Sequence, residues 1–154
     1  MKKIIPLLLV ILLLLSGCTD SGKVSVENSE WKFSRIIEAD TNKVVFSNEK
    51  DNSKFEGSKI IDLSCSATEN QITIKDNASG TEWILDYTEN KNAETNNPDG
   101  SIYEVTYTAE EKSIRGYATT GIANLNDVVE NEYLIITLGG YELHFVNLED
   151  VTLN

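Results

Sequence analysis

The sequence contains few of the residues on which most enzyme mechanisms depend. Its 154 residues include two cysteines, Cys18 and Cys65, and one histidine, His144. Thiolate zinc sites and zinc-peptidase motifs need more cysteines or histidines than this. Gly-x-Ser-x-Gly, Walker and Rossmann glycine motifs are missing as well. The sequence therefore predicts a protein without enzymatic activity, metal or cofactor.

Positive charge is also scarce. The 13 lysines and arginines face 25 aspartates and glutamates, so the formal net charge is −12. Such a surface repels the phosphate backbone of nucleic acids, and we expect neither DNA nor RNA as a partner. The acidic surface would attract a cationic peptide, although charges that only keep the protein soluble explain the same composition.

The long apolar run of the chain lies near its N-terminus. Two lysines precede 12 residues, Ile4 to Leu15, that are interrupted only by Pro6. A membrane-spanning helix needs about 20 apolar residues, so this run has the length of a signal-peptide core. We expect residues 1–17 to be a signal peptide.

The apolar run ends in Leu15-Ser16-Gly17-Cys18, which resembles the lipobox of bacterial lipoproteins. The resemblance implies cleavage before Cys18, lipidation of its thiol, and an anchor on the extracytoplasmic face of the cell membrane. Several acyl chains hold a protein stably, whereas one chain binds only marginally. Small polar residues follow, so we interpret 18–29 as a lipidated flexible tether and 30–150 as one folded domain. Cys65 then has no disulfide partner in the chain.

Most of the remaining chain has the pattern of β-strands. Short runs rich in β-branched and aromatic residues alternate with clusters of turn-forming residues. Asn124 to Glu132 is the one place where we expect a helical turn. The predicted strands lie near 31–37, 43–47, 58–66, 70–75, 82–88, 102–108, 112–119, 133–138 and 141–147.

The last two strands form a predicted hairpin with a defined register. Gly139-Gly140 lies between them, and both residues of such a turn adopt positive φ. This places Leu138 opposite Tyr141, Ile136 opposite Leu143, and Leu134 opposite Phe145. All six apolar side chains then share one face, and a slip by one residue would destroy the agreement.

The predicted fold is all-β, an antiparallel up-and-down meander of eight or nine strands that closes into a barrel or a flattened sandwich. Trp31 at the start of the first strand, the meander, and the aromatic last strand together resemble a lipocalin-like (calycin) barrel. The resemblance is one of architecture, and it implies a barrel whose interior can hold a small ligand.

Aromatic residues provide the candidate ligand site. Two predicted strands, 82–88 and 102–108, each offer one aromatic or apolar face that alternates with a mostly polar one, and the long polar loop 89–100 joins them. One hypothesis is a pocket open at this loop; the other is a filled core, because barrels of about eight strands are just wide enough for their side chains. The candidate ligand-binding residues are Trp83, Tyr87, Tyr103, Tyr107 and Tyr117.

Three classes of function follow from these observations. The first is a membrane-anchored binding module for a small amphipathic or peptide ligand. The second is an immunity or interaction lipoprotein that sequesters a cationic peptide, or docks on an envelope protein, through its acidic surface. The third is an enzyme, which would need a cleft where carboxylates or His144 converge.

Overall fold

The computed structural model describes residues 23–125 and 129–147. The predicted signal peptide, the predicted lipobox and Cys18 lie outside the described residues. One 3₁₀ turn, Asn52–Lys54, interrupts an otherwise all-β chain in this part. The strands are β1 (Glu30–Glu38), β2 (Lys43–Ser47), β3 (Lys59–Ile60), β4 (Leu63–Ala67), β5 (Gln71–Asp76), β6 (Glu82–Glu89), β7 (Ile102–Ala109), β8 (Lys112–Leu125), β9 (Val129–Leu138) and β10 (Tyr141–Asn147).

Eight of these ten strands form a closed antiparallel barrel. Strands β4 to β10 pair in sequence order, and β1 closes the barrel by pairing with both β4 and β10. The predicted all-β meander is confirmed, and of the two architectures left open the structure has the barrel. Closure gives each of the eight strands a partner on both sides, so the backbone groups of the barrel bond to each other.

A small extension leaves the barrel between β1 and β4. β2 pairs with the C-terminal part of β1, and β3 pairs in parallel with β2. β1 bulges at Ser34, near the point where its neighbour on this side changes from β4 to β2. The prediction of one strand over 58–66 was wrong, because Ile61 still bonds to β2 whereas Leu63 already pairs with β5.

The hairpin of β9 and β10 has the predicted register. Leu134 lies opposite Phe145, and both side chains are fully buried. Gly139 and Gly140 have φ of 59° and 85°, as this turn requires. The predicted helical turn was wrong in the described residues, because β8 continues to Leu125 and β9 begins at Val129; residues 126–128 lie outside them.

Apolar side chains fill the barrel. Phe33 and Phe145 pack edge to face, with ring centroids 5.9 Å apart. The largest side chains that are fully buried are those of Phe145, Ile72, Leu85, Leu134, Ile136, Val26 and Val105.

The residues before β1 close one end of the barrel. Val24 and Val26 belong to the core, although the sequence analysis assigned both to a flexible tether. The amide of Val24 donates to the Asp99 carbonyl at 2.8 Å, and the Thr120 hydroxyl donates to the Val24 carbonyl at 2.6 Å. The correction has a simple cause: both valines alternate with polar neighbours, as in a strand, so two apolar side chains point inward.

Candidate functional site

The structure brings four of the five candidate aromatic residues to the inner face of the barrel. Tyr87 and Tyr103 are buried in the core, and Trp83 and Tyr107 are partly buried against it. Tyr117 is the exception, because its side chain is 48% exposed on the outer face of β8. Its neighbour Ala118 points inward instead and lies opposite Tyr103.

The space around Tyr87 and Tyr103 is filled. Their rings pack edge to face with centroids 5.5 Å apart. The Tyr87 hydroxyl donates to the Thr68 carbonyl at 2.7 Å, and the Tyr103 hydroxyl accepts from the Val26 amide at 3.3 Å. Buried tyrosines need such partners for their hydroxyls. Of the two sequence-based hypotheses, the filled core therefore describes this end of the barrel.

Outside the closed end lies a groove of about 620 Å³, which we call the end groove. Three exposed glutamates, Glu27, Glu69 and Glu89, surround it, and Tyr87 and Tyr103 form part of its floor. The other residues that line it are Lys23, Ser25, Asn70, Thr88 and Ser101. The aromatic residues singled out from the sequence thus reach the surface beneath a group of carboxylates.

The negative charge of the end groove acts on the tyrosine beneath it. Burial, followed by the charges of Glu27, Tyr103 and Glu69, raises the pKa of Tyr87 to about 12. The phenol therefore stays neutral at physiological pH. The same potential would stabilise a cation placed in the groove.

The sequence analysis missed these three glutamates because they lie in separate segments. Glu27 precedes β1, Glu69 lies in the turn after β4, and Glu89 ends β6. A signal for them existed, since an antiparallel meander brings the ends of alternate strands to the same rim.

The opposite end of the barrel has a different character. Trp83 and Tyr107 lie there, and Tyr107 pairs with Ile114, whose side chain is 43% exposed. Other partly buried side chains of the same end are apolar, namely Ile36, Phe46, Leu138 and Leu143. We call this end the apolar mouth.

A second groove, of about 760 Å³, follows the bulge of β1 and is called the β1 groove. The loop after β2 forms one wall. The Asn48 side chain holds this loop to the bulge, because it donates to the Phe33 carbonyl at 2.8 Å and accepts from the Asp51 amide at 2.7 Å. The Arg35 guanidinium lies 5.4 Å from the centre of the Phe55 ring.

Cys65 and His144 are of residue types often used in catalysis, and they lie in different environments. Burial raises the pKa of the Cys65 thiol to about 12, so the nucleophilic thiolate is not formed at neutral pH. His144 is hydrogen-bonded to Glu142 at 3.1 Å on the outer face. Within residues 23–125 and 129–147, no three His, Cys, Asp or Glu side chains are grouped so that they could hold a metal ion.

Comparisons with known proteins give no family. No protein-family model matches the chain, and neither a curated protein nor a solved structure is detectably similar to it. In the described part of the chain, no helix has the length and apolar character needed to cross a membrane.

Proposed function

We propose that this protein is a lipid-anchored, non-enzymatic binding lipoprotein on the extracytoplasmic face of the cell membrane, and that it captures a cationic peptide in the end groove. The observation that carries the proposal is the juxtaposition of Glu27, Glu69 and Glu89 with the tyrosine floor of that groove. Filling of the barrel beneath the groove supports an outer rather than an inner site.

The chemistry of the end groove suits a lysine or arginine side chain with an apolar stem. Exposed ion pairs contribute about 0.5 kcal/mol each, so one carboxylate alone would bind weakly. Three of them act together around a groove, and the edges of Tyr87 and Tyr103 offer apolar contact to the stem. A formal net charge of −12 also speeds the encounter with a cationic peptide.

The proposed lipid anchor supports the same function. Lys23, which lines the end groove, follows Cys18 by five residues. An extended chain spans about 3.3 to 3.6 Å per residue, so lipidation of Cys18 would keep the groove within about 18 Å of the anchor. Cationic amphipathic peptides concentrate at an anionic membrane surface, and a protective lipoprotein would meet them there.

The test is a change of three charges in the mature chain, residues 18–154, with Cys18→Ser so that it stays soluble. The probe is a synthetic amphipathic peptide of lysine and leucine, and its affinity is measured by calorimetric titration. We expect the triple variant Glu27→Gln, Glu69→Gln, Glu89→Gln to bind about tenfold more weakly, because three pairs of about 0.5 kcal/mol are lost.

A control with the same change of net charge separates the groove from the overall field. Glu56, Glu110 and Glu111 are exposed and do not line the end groove. Their triple Glu→Gln variant should retain nearly all of the affinity. Equal losses in the two variants would mean that the peptide responds only to net charge, and the proposal of a site would be wrong.

A second candidate function rests on the apolar mouth. Partly buried Trp83 and Tyr107, at the end of the barrel opposite Val24 and Val26, favour a small amphipathic ligand, as the lipocalin-like architecture suggests. Quenching of the Trp83 fluorescence by a fatty acid, with loss of the effect in Tyr107→Ala, would support this alternative.

A further inference from the structure

The charge of the β1 groove is opposite in sign to the net charge of the whole protein. Four cationic residues line it, namely Lys32, Arg35, Lys50 and Lys54, together with two acidic residues, Asp51 and Asp62. The whole chain has the opposite balance, with 25 acidic against 13 basic residues. A basic groove in an acidic protein is a local feature that the overall composition does not explain.

Three of these cations are available to a ligand. Among the described residues, the ion pair in the groove joins Lys54 to Asp51 at 3.2 Å, and no ion pair engages Lys32, Arg35 or Lys50. With Lys54 and Asp51 neutralising each other, three positive charges face the single negative charge of Asp62. The groove therefore has a local surplus of two positive charges.

The arginine is held so that it can recognise an oxyanion. Arg35 follows the bulge at Ser34, and its guanidinium lies over the Phe55 ring. Contact with an aromatic ring limits the freedom of a guanidinium, and its N–H groups can then make a bidentate contact to an oxyanion.

The loop after β2, which forms one wall of the groove, is held in place by hydrogen bonds that do not involve Lys32, Arg35 or Lys50. Asn48 links the β1 bulge to Asp51, and Asn52 donates to the Ser47 hydroxyl and the Ser58 carbonyl, both at 3.2 Å. These hydrogen bonds involve neutral groups and the Asp51 carboxylate, and they keep the loop in place before any ligand binds. Such preorganisation lowers the ordering cost of binding.

We infer that the β1 groove binds a phosphate monoester. A phosphate monoester carries about −1.5 to −2 charges at neutral pH, which matches the surplus in the groove. Its oxygens accept the paired N–H groups of Arg35, while Lys32 and Lys50 supply point charges. The groove, at about 760 Å³, is larger than a phosphate alone, so the group is the head of a larger molecule. This inference is independent of the cationic-peptide proposal, because the two sites share no residue.

The test compares a groove variant with a matched control in the mature chain. The groove variant is Arg35→Gln, Lys50→Gln; the control is Arg115→Gln, Lys91→Gln, which changes the same residue types at exposed positions outside the groove. Calorimetric titration with glycerol 3-phosphate measures binding to a soluble ester. Flotation of the protein with phosphatidylcholine vesicles, with and without phosphatidic acid, measures binding to a lipid headgroup.

We expect the groove variant to lose about tenfold or more in affinity, and the control to keep it. If the groove variant loses affinity for glycerol 3-phosphate, the inference is supported and the ligand is a soluble ester. If it loses affinity only for vesicles with phosphatidic acid, the inference is supported and the ligand is a lipid headgroup. Arg35→Lys, which keeps the charge but not the paired N–H groups, should bind weakly as well. Absence of binding to both probes by the unaltered protein, or an equal loss in the control, would overturn the inference.

Discussion

At the scale of single residues, His144 couples the outer face of the barrel to pH. Burial lowers its pKa first, the hydrogen bond to Glu142 opposes this, and the positive charge of Arg35 lowers it further. Arg35 lies directly opposite His144 in the pairing of β1 with β10. The folded protein therefore holds this imidazole neutral at a pH where the unfolded chain already protonates it.

The sign of the effect on stability follows from this lowered pKa. Well above pH 6.5, the ordinary pKa of histidine, the side chain is neutral in both states and contributes no pH dependence. As the pH falls below this value, the unfolded state binds the proton first, so the free energy of unfolding decreases until the pH reaches the pKa of the folded state. We predict that urea denaturation at about pH 7.5 and about pH 5.5 shows a smaller loss of stability in His144→Gln than in the unaltered protein.

Asp76, whose pKa is also shifted by the fold, does not interfere with that comparison. The hydrogen bond from Ser79, followed by that from the Ala78 amide, lowers its pKa in the folded state, so its contribution is lost only in the more acidic range. The contribution of Asp76 to stability is the same in both proteins, and it changes only below the pH range that is compared. Equal losses in the two proteins would show that His144 is not held neutral by the fold.

At the scale of elements, the alternation of side chains was sufficient to predict most of the barrel. Leu85 and Val105 each lie on a regularly spaced apolar face of their strand, and the structure buries both in adjacent antiparallel strands. Alternation identifies a face but not the side that becomes the interior. Tyr117 was placed on the wrong face for this reason, since small residues such as Ala118, rather than the tyrosine, face the crowded core.

The grooves were not predictable in the same way. The β1 groove depends on the bulge at Ser34 and on a loop that folds back on it through Asn48, and neither follows from a periodic pattern. The segment before β1 that closes the barrel, residues 23–29, is called the closing segment. It was missed because Val24 and Val26 make a stretch of strand-like sequence too short to stand out. Both features arise from contacts between distant parts of the chain, which local propensity does not encode.

The closing segment yields a prediction at this scale. Val26 is fully buried, so Val26→Ala removes apolar contacts from the core and should lower the free energy of unfolding by about 2 kcal/mol. Ser25→Ala, at the exposed neighbouring position, should change it by less than about 0.5 kcal/mol. Urea denaturation of the mature chain measures both. If Val26→Ala is as neutral as Ser25→Ala, the segment is a tether in solution and not part of the core.

At the scale of the whole molecule, the closed barrel carries its two proposed sites on the outside. Two grooves of opposite charge lie on its surface, the acidic end groove beside Lys23 and the basic β1 groove beside the extension. The proposed lipid anchor on Cys18 would bring the end groove close to the membrane. This arrangement fits the proposal that the protein, which is acidic and has few residues of the types used in catalysis, acts by binding.

The most direct test of the central proposal is a map of where the cationic peptide binds. The ¹⁵N-labelled mature chain with Cys18→Ser is titrated with the lysine–leucine peptide, and amide chemical shifts are followed. The account predicts that the changes concentrate around Glu27, Glu69 and Glu89, at the closed end of the barrel. Changes centred on Trp83 and Tyr107 would place the ligand in the apolar mouth instead and would contradict it.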